Sequence, residues 1–392
     1  MKILCVAMSE SIHTARWLGQ ICDQGWDIHL FPSRDTGYVH PAMRNLTVYH
    51  TTYAPTTVAD SSVRMRGLPI PHTLAADVGR RVLARYWPRF RVARLAHLIT
   101  RLKPDLIQSL EFQHAGYLTL ESRRLLNGPF PKWIATNWGS DIYLFGRLSG
   151  HRDKVREVLR YADYYSCECE RDICLARAFG FTGQALPVFP NTGGFDLAAV
   201  SALRQDGAVD QRRVIMVKGY QTWAGRALVA LRALERCAEL LGGYTIAVYS
   251  ASPDVELAAE LFQESTGVPV ILIPHDTPHC EMMAWHGRAR ISLGLSIGDA
   301  ISTSLLEAMV MGAFPVQSWT ACADEWIDNG INGLLVPPED PEQVEKAIRL
   351  ALADDGLVNG AAEHNARLAR ERLDGTMLKQ RIIAMYQSLA SR

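Results

Sequence analysis

The chain has 392 residues, which is long for one hydrophobic core and predicts two domains of roughly 150–200 residues. Its 41 basic and 41 acidic residues balance, which disfavours a general nucleic-acid binder, and 48% apolar residues without a low-complexity tract indicate a globular protein. Eight dispersed cysteines without a CxxC pair indicate neither a zinc site nor a disulfide framework.

The first residues, MKILCVAMSE, are predicted to form a buried β-strand and not a signal peptide, because charged and polar residues follow within ten positions. No stretch of 18 apolar residues occurs, so no membrane-spanning helix is predicted. A cytoplasmic protein is the expectation that follows.

A strand–helix–strand unit opens the chain. Residues 3–8 are an apolar run suited to a buried strand, residues 27–31 are predicted to form the next strand, and residues 13–24 between them have helical spacing. The turn lacks GxGxxG, so a dinucleotide fingerprint is absent. Because ligands of such sheets bind at loops after strand carboxyl ends, the pattern predicts pocket residues at Ser9, His13, Thr14 and Arg16. A capping serine and a structural histidine are the alternative interpretation.

The next region is irregular and then strongly basic. Residues 51–79 show little periodicity and are predicted to lack regular structure. The segment Arg80 to Lys103 carries eight cations, no acid and three aromatic residues, and Pro88 divides it into two helical pieces. One interpretation is a peripheral contact with an anionic membrane surface. The other is an ordinary helix packed on the sheet by its leucine face, with its arginines in water.

Three further strands are predicted in the first half, at residues 105–110, 133–137 and 163–167. The first two run into polar or small residues, Glu111 to Gly116 and Asn137 to Asp141, which is typical of strand ends that face a ligand. The Pro/Gly turn at 190–196 and the polar stretch after it predict an interdomain linker over 197–212.

A second alternation of strands and helices begins at Val214. Two consecutive alternations predict an α/β protein with two doubly wound, Rossmann-like domains that face each other across a cleft. The domains are predicted at residues 1–196 and 213–371, followed by a last helical segment at 372–392. The predicted strands are 214–217, 245–249, 270–273, 291–295, 314–317 and 333–336, and the predicted helices are 226–241, 254–265, 280–288, 303–311, 323–329, 341–354 and 360–390.

The stretch from Leu293 to Val316 is the strongest candidate for a site. It is predicted to contain a strand end, a loop of small and polar residues, a helix and a second buried strand. Such a loop offers main-chain N–H groups and the positive end of a helix dipole, which suit a phosphate or diphosphate. Asp299 and Glu307 flank the loop. A helix cap and a solvated helix residue are the alternative interpretation of these two acids.

A second loop on the same predicted sheet carries two cations. Lys218 ends the first strand of this half, and residues 219–225 lead to Arg226 at the start of a helix. Cations on both sides of a glycine-containing loop can neutralise a diphosphate. A solvated lysine and arginine are the alternative, and the 298–307 loop on the same sheet favours the phosphate interpretation.

Together these residues resemble the retaining glycosyltransferases of family 4, which have the GT-B fold. That family carries two glutamates separated by seven residues, and this chain has Asp299 and Glu307 at that spacing within GDAISTSLLEAMVMGAFPV. The HTARW and WGSD segments resemble those of members that act in polysaccharide assembly. Further matches are Pro190-Asn191, Glu325-Trp326-Ile327 and GINGLLVP at 330–337.

The resemblance implies a role for each matching residue. Glu307 would hydrogen-bond the nucleotide ribose, and Asp299 would hold the donor sugar. Lys218 and Arg226 would neutralise the diphosphate leaving group, so that no metal or other cofactor is needed. The closing helix would cross back onto the N-terminal domain. The donor, a UDP- or GDP-sugar, would also be bound by Gly219, Gly298, Ala300, Ile301, Ser302 and Thr303.

The chain departs from the family pattern at two positions. Relatives often have His-Gly before Ser-Asp, whereas this chain has Trp138-Gly139, so a histidine contact to the donor sugar is lost or is supplied elsewhere, for example by His114. The shortened Asp299 would select a different sugar or lie farther from its hydroxyls. Asp141 is either a polar anchor for the acceptor or a cap of the next helix.

The resemblance therefore predicts retaining transfer of a sugar from a nucleotide diphosphate sugar to a saccharide, lipid-linked or small-molecule acceptor. Attack on the same face would let the leaving phosphate accept the acceptor proton. Two rival functions are a sugar-nucleotide epimerase, which needs no acceptor, and a catalytically silent subunit that binds nucleotide sugars. A dehydrogenase is disfavoured because neither half has GxGxxG.

Overall fold

The structure, a computed structural model, describes residues 1–52, 60–68, 73–126 and 128–390. The chain divides into two compact units: residues 1–193 with the chain from Leu378 onward, and residues 194–377. Each unit is built on one parallel sheet. The predicted fold class, α/β with two doubly wound units, is confirmed.

The first unit contains a sheet of eight strands. They are β1 (Lys2–Ala7), β2 (Asp27–Pro32), β3 (Thr47–Tyr49), β4 (Arg64–Arg66), β5 (Leu106–Leu110), β6 (Lys132–Thr136), β7 (Tyr164–Ser166) and β8 (Gln184–Ala185). Their order is β4-β3-β2-β1-β5-β6-β7-β8, and every pair is parallel. Ile3 and Cys5 of β1 join one apolar core and Leu4 and Val6 join another, so the sheet is covered on both faces.

The second unit contains a sheet of six strands. They are β9 (Val214–Lys218), β10 (Thr245–Tyr249), β11 (Val270–Ile273), β12 (Ala289–Gly294), β13 (Phe314–Ser318) and β14 (Leu334–Val336). The order is β11-β10-β9-β12-β13-β14, again all parallel. The order reverses between β9 and β12, and ligands of open α/β sheets bind at the carboxyl ends of strands on either side of such a point.

The described residues form fifteen α-helices. They are α1 (Ile12–Gly19), α2 (Leu74–Tyr86), α3 (Phe90–Leu102), α4 (Tyr117–Leu125), α5 (Ser140–Tyr143), α6 (Ser149–Tyr161), α7 (Glu170–Ala178), α8 (Leu197–Ser201), α9 (Ala227–Glu235), α10 (Pro253–Thr266), α11 (His279–Arg288), α12 (Thr303–Met311), α13 (Pro341–Ala353), α14 (Asp355–Arg372) and α15 (Gly375–Ala390). Within that described part of the chain, no helix combines the length and apolar composition that a membrane span requires.

The last helix, α15, packs in the core of the first unit. Leu378 and Ile382 lie there fully buried. Tyr386 donates a hydrogen bond to Gln108 Oε1 of β5 and accepts one from Trp17 Nε1 of α1 at 3.0 Å. Because these polar groups are buried, pairing them avoids the cost of unsatisfied donors and acceptors.

Two predicted elements of the first half were wrong. The helix predicted over 13–24 ends at Gly19, whose carbonyl accepts a hydrogen bond from the Arg44 guanidinium at 3.3 Å. The region 51–79, predicted to be irregular, contains β4 at the sheet edge and the start of α2, which the Thr73 side chain caps by accepting from Ala76 N at 3.2 Å. Residues 53–59 and 69–72 of that prediction lie outside the described residues.

Two predicted helices of the second half were also wrong. Residues 323–329 form a short 3₁₀ turn and a loop, because Asn332 accepts from Asp328 N at 2.7 Å and donates to Trp326 O at 3.0 Å. The helix predicted over 360–390 is interrupted between α14 and α15. There Phe195 N donates to Leu373 O and Phe195 O accepts from Gly375 N, each at 2.9 Å, which a continuous helix would prevent.

Candidate active site

The candidate site of the second unit lies where β9 and β12 end side by side. Lys218 is the last residue of β9, and its Nζ donates to Ser302 Oγ at 3.0 Å. The same Nζ lies 4.0 Å from Asp299 Oδ2. Ser302 immediately precedes α12, so a cation, an acid, a hydroxyl and the positive end of a helix dipole lie close together.

The loops around Lys218 are tied to each other by main-chain hydrogen bonds. Arg226 N donates to Leu295 O at 3.0 Å, and Ile297 N donates to Ala224 O at 2.9 Å. These bonds hold the 219–226 loop against the loop after β12. The two loops that the sequence predicts to be neighbours are therefore in contact.

Glycine at position 219 is required by a close approach of backbone segments. A Cβ atom there would lie 2.7 Å from Ala251 Cα and 2.9 Å from Tyr249 O. Main-chain atoms cannot move away as a flexible side chain can, so a larger residue would displace the loop that follows Lys218. Gly219 thus shapes the loop, and a ligand contact of its own is a separate prediction.

Arg226 is held differently from Lys218. Its Nε donates to Glu339 Oε1 at 2.9 Å, and one terminal nitrogen donates to Gly225 O at 2.8 Å. The Arg226 side chain is 18% exposed and Glu339 is 64% exposed, so the ion pair lies at the edge of the site. The structure brings Lys218 to Asp299 and places Arg226 beside Glu339.

The predicted donor-binding loop folds as a compact turn. Gly298 N donates to Ser296 Oγ at 3.2 Å, and Asp299 Oδ1 accepts from Ala300 N at 3.0 Å. Ala300 and Ile301 are buried, and Thr303 begins α12. Asp299 is not the helix cap of the alternative interpretation, because Ser302 occupies the N-cap position of α12 and Asp299 accepts from the adjacent Ala300 amide within the loop. Its other oxygen faces Lys218.

Glu307 lies buried on α12 and is not a solvated helix residue. His279 Nε2 of α11 donates to Glu307 Oε1 at 2.8 Å, and His286 Nε2 lies 3.9 Å from Glu307 Oε2. His286 is fully buried against Tyr249, with ring centroids 5.6 Å apart, and burial lowers the pKa of His286. A neutral His286 thus lies beside a carboxylate that His279 holds from the other side.

Neither histidine is among the site residues predicted from the sequence. They are seven residues apart, which places them on one face of a helix, and this spacing was the available signal. The neighbour of that face is set by the packing of α11 against α12. Local sequence patterns do not predict this tertiary contact.

In the first unit, two buried acids follow the ends of β5 and β6. Asp141 Oδ2 accepts from Trp138 N at 2.7 Å and from Phe112 N at 3.0 Å. The Glu111 carboxylate accepts from the amides of His114, at 2.9 Å, and Ala115. Burial raises the pKa of Glu111 to about 7, and burial followed by the charge of Glu111 raises the pKa of Asp141 well above its usual range.

The other predicted pocket residues of this unit lie on α1, on the loop before it and near Trp138. Ser9 is buried and donates to Tyr38 O at 2.6 Å, whereas Thr14 Oγ1 is buried without a hydrogen-bond partner among the described residues. The rings of His13 and Trp138 meet edge to face with centroids 5.8 Å apart. Arg16 lies in the last turn of α1, and burial lowers the pKa of His114.

The two parallel α/β units, with a cation and a helix start at the strand ends of the second, match the GT-B fold of glycosyltransferase structures. Residues 212–354 match the family described as glycosyl transferases group 1, and residues 71–167 match the family described as glycosyl transferase 4-like. These two matches together span more than half of the chain. The chain is therefore a GT-B glycosyltransferase, and family 4 fits it.

Solved structures of the same fold resemble the whole chain at low sequence identity. Sucrose-phosphate synthase from Thermosynechococcus elongatus has a TM-score of 0.72 and 15% identity, covering 100% of this chain and 99% of that one. HepE from Anabaena, solved with UDP-glucose, has a TM-score of 0.67 and 17% identity over 99% and 100%. A UDP-forming trehalose-phosphate synthase from Burkholderia xenovorans has a TM-score of 0.68 and 13% identity over 99% of each chain. No curated protein sequence matches the chain at a significant level.

Proposed function

We propose that this glycosyltransferase moves a sugar from a nucleotide diphosphate sugar to a saccharide, lipid-linked or small-molecule acceptor, with retained anomeric configuration and without a metal. The observation that carries the proposal is the position of Lys218. Its ammonium lies 3.0 Å from Ser302 Oγ at the start of α12, where a diphosphate would meet a cation and main-chain amides at once.

The leaving group determines what the site must supply. When the bond between the sugar C1 and the diphosphate oxygen breaks, negative charge develops on the departing phosphate. A preorganised cation and a helix N-terminus stabilise that charge without reorganising. In our proposal Lys218 supplies the cation, Arg226 supplies a second one from its place beside Glu339, and the residues around Ser302 supply the amides.

The acceptor oxygen bonds to C1 on the face that the diphosphate leaves, and its proton passes to the departing phosphate oxygen. This same-face route retains the configuration at C1 and requires no carboxylate nucleophile. Glu307 accepts hydrogen bonds from the ribose hydroxyls in this proposal. Asp299 positions the donor sugar and orients Lys218, which lies 4.0 Å away.

Uridine nucleotides are the first donors to test. HepE was solved with UDP-glucose, and the trehalose-phosphate synthase is named as UDP-forming. We extend that donor class to this chain as a proposal, with GDP-sugars as the second class.

In this proposal the acceptor binds to the first unit. Thr14, His13 and Trp138 provide an unpaired hydroxyl and two ring faces at the ends of β1 and β6. Asp141 fixes the Trp138 main chain and so shapes this pocket. A lipid-linked acceptor would bring the chain to the inner face of a membrane as a peripheral protein.

The test is a panel of UDP- and GDP-sugars, first by thermal stabilisation and then by turnover with and without a chelator. A donor that binds should raise the unfolding temperature, because it stabilises the folded state by RT ln(1 + [L]/Kd), where [L] is the donor concentration. Product formed on an added acceptor, with the donor's anomeric configuration by NMR, supports the proposal. Donor turnover without an acceptor would instead indicate an epimerase, and binding without nucleotide release would indicate a silent subunit.

A further inference from the structure

The two helical pieces of the basic segment differ in where their apolar residues point. In α3, Leu95, Leu98 and Ile99 are buried against the sheet, which is the ordinary packing that one interpretation predicts. In α2 four of the large apolar residues face solvent, whereas Leu83 is half-buried. The exposed fraction is 87% for Leu74, 59% for Val78, 49% for Val82 and 80% for Tyr86.

These α2 residues form one continuous stripe. Leu74, Val78, Val82 and Tyr86 follow each other at intervals of four, so they lie one above another along the helix. Trp87, directly after the helix, extends the stripe and is 58% exposed. Scattered exposed apolar residues are ordinary, but a contiguous stripe on one helix marks an interaction surface.

Cations border this stripe. Arg81 follows Val78 by three residues and Arg85 follows Val82 by three, so both arginines lie beside the apolar residues on one flank. Arg81, Arg85 and Arg89 are exposed, and none forms an ion pair with an acid among the side chains that the structure describes. The segment 74–89 has four arginines and one acid in sequence.

We propose that the surface formed by Leu74, Val78, Arg81, Val82, Arg85, Tyr86, Trp87 and Arg89 binds an anionic membrane. The helix would lie in the interface plane, with the stripe among the acyl chains and the arginines against lipid phosphates. Aromatic residues with a polar tip, such as Tyr86 and Trp87, favour that interface. The inference goes beyond the proposed transfer reaction, because vesicle binding can be measured without donor or acceptor.

The charge around the α2 stripe favours an anionic membrane over another binding partner. The chain contains a second exposed apolar pair at helical spacing, Leu257 and Leu261 of α10, with exposed fractions of 60% and 56%. That helix carries Asp254, Glu256, Glu260 and Glu264 and no cation. An anionic surface would repel α10 and attract α2, although both helices expose comparable apolar pairs.

The experiment is co-sedimentation of the full chain with vesicles of phosphatidylcholine and phosphatidylglycerol, compared with phosphatidylcholine alone. We expect binding to the anionic vesicles that weakens with added salt. Val78→Glu with Val82→Glu should lower the partition coefficient more than tenfold, and each of Arg81→Gln and Arg85→Gln by about fivefold. The matched control Leu257→Glu with Leu261→Glu should leave it unchanged, and circular dichroism confirms folding of every variant.

Two results would overturn the proposal: no binding to either kind of vesicle, or an equal loss in the α10 control. If vesicle binding is absent and analytical ultracentrifugation shows a concentration-dependent dimer that the Val78→Glu and Val82→Glu changes abolish, the stripe would be assigned to a second copy of the chain. Because each readout is independent of turnover, failure here leaves the proposed transfer reaction untouched.

Discussion

Both sheets place acids after their strand ends, but the two units neutralise those acids in different ways. In the first unit, Glu111 and Asp141 are buried and accept hydrogen bonds from main-chain amides. In the second unit, Asp299 is 29% exposed and faces the ammonium of Lys218, and Glu307 meets a histidine side chain.

The loops of the first unit are fixed by internal hydrogen bonds to buried acids. In our proposal, the loops of the second unit keep polar groups that a ligand can contact. The amides of Trp138 and Phe112 already donate to Asp141, so they do not point to a ligand. The raised pKa of Asp141 favours its neutral form. Lys218 has a hydroxyl and a partly exposed acid as partners, which an incoming diphosphate can replace or join. In our proposal the same topological position therefore serves stability in one unit and anion binding in the other.

The largest expected effect of a single change is at Lys218. Lys218→Met keeps most of the side-chain length and removes the cation, so kcat should fall by about 10²–10³-fold, the usual loss when one charge-stabilising group is deleted. The control is Lys346→Met, which removes a lysine whose ion pair with Glu342 lies at the surface of the same unit. Turnover of the Lys218 variant within threefold of the parent would contradict the site.

Glu307 should affect donor affinity more than the chemical step. Glu307→Gln removes a charged acceptor for the ribose hydroxyls and also the pairing with His279, so the KM for the donor should rise about 10–100-fold with a smaller change in kcat. Steady-state kinetics with varied donor measures the split. Glu281→Gln, an exposed change on neighbouring α11, should alter neither constant. A large fall in kcat at unchanged KM would give Glu307 a role in the transition state.

These two residues also show how far the sequence alone reaches. The helix predicted over 303–311 matches α12 residue for residue, because apolar spacing and a serine before the helix are local signals. The contact of Lys218 with Ser302 follows from parallel strands whose carboxyl ends share an edge. The histidines around Glu307 could not be predicted, since they depend on the packing of α11 against α12.

The first unit contains features that the sequence does not predict. Glu111 has a φ of 78°, a left-handed conformation that a glutamate adopts only when tertiary contacts hold it, and no sequence pattern signals that strain. Likewise, the sequence predicts a basic helical piece before Pro88 but misses the first turns of α2, and it does not state whether the apolar residues of that helix meet the sheet or solvent.

Asp299 offers a sharper test of the charge pairing in the second unit. Asp299→Asn keeps the shape and removes the charge that faces Lys218, so kcat/KM should fall by about tenfold. Asp299→Glu restores the acid of the family pattern and should change the ranking of donor sugars more than the rate with the best one. The donor panel run on both variants measures this. An unchanged ranking with Asp299→Glu would make Asp299 a tolerated substitution.

The smallest effect on turnover is expected at Asp141, where the effect is on stability. The folded state keeps a proton on Asp141 that the unfolded chain loses above its ordinary pKa near 4. The free energy of unfolding should therefore fall as the pH rises from about 5 to 8, over the range in which Glu111, with a pKa of about 7, also loses its proton. Asp141→Asn retains an oxygen that can accept from Trp138 N and Phe112 N, so it should flatten this slope and change turnover less than twofold. Urea titrations at the two pH values measure the slope, and a turnover loss above tenfold with an unchanged slope would make Asp141 an acceptor ligand, erasing the contrast between the two units.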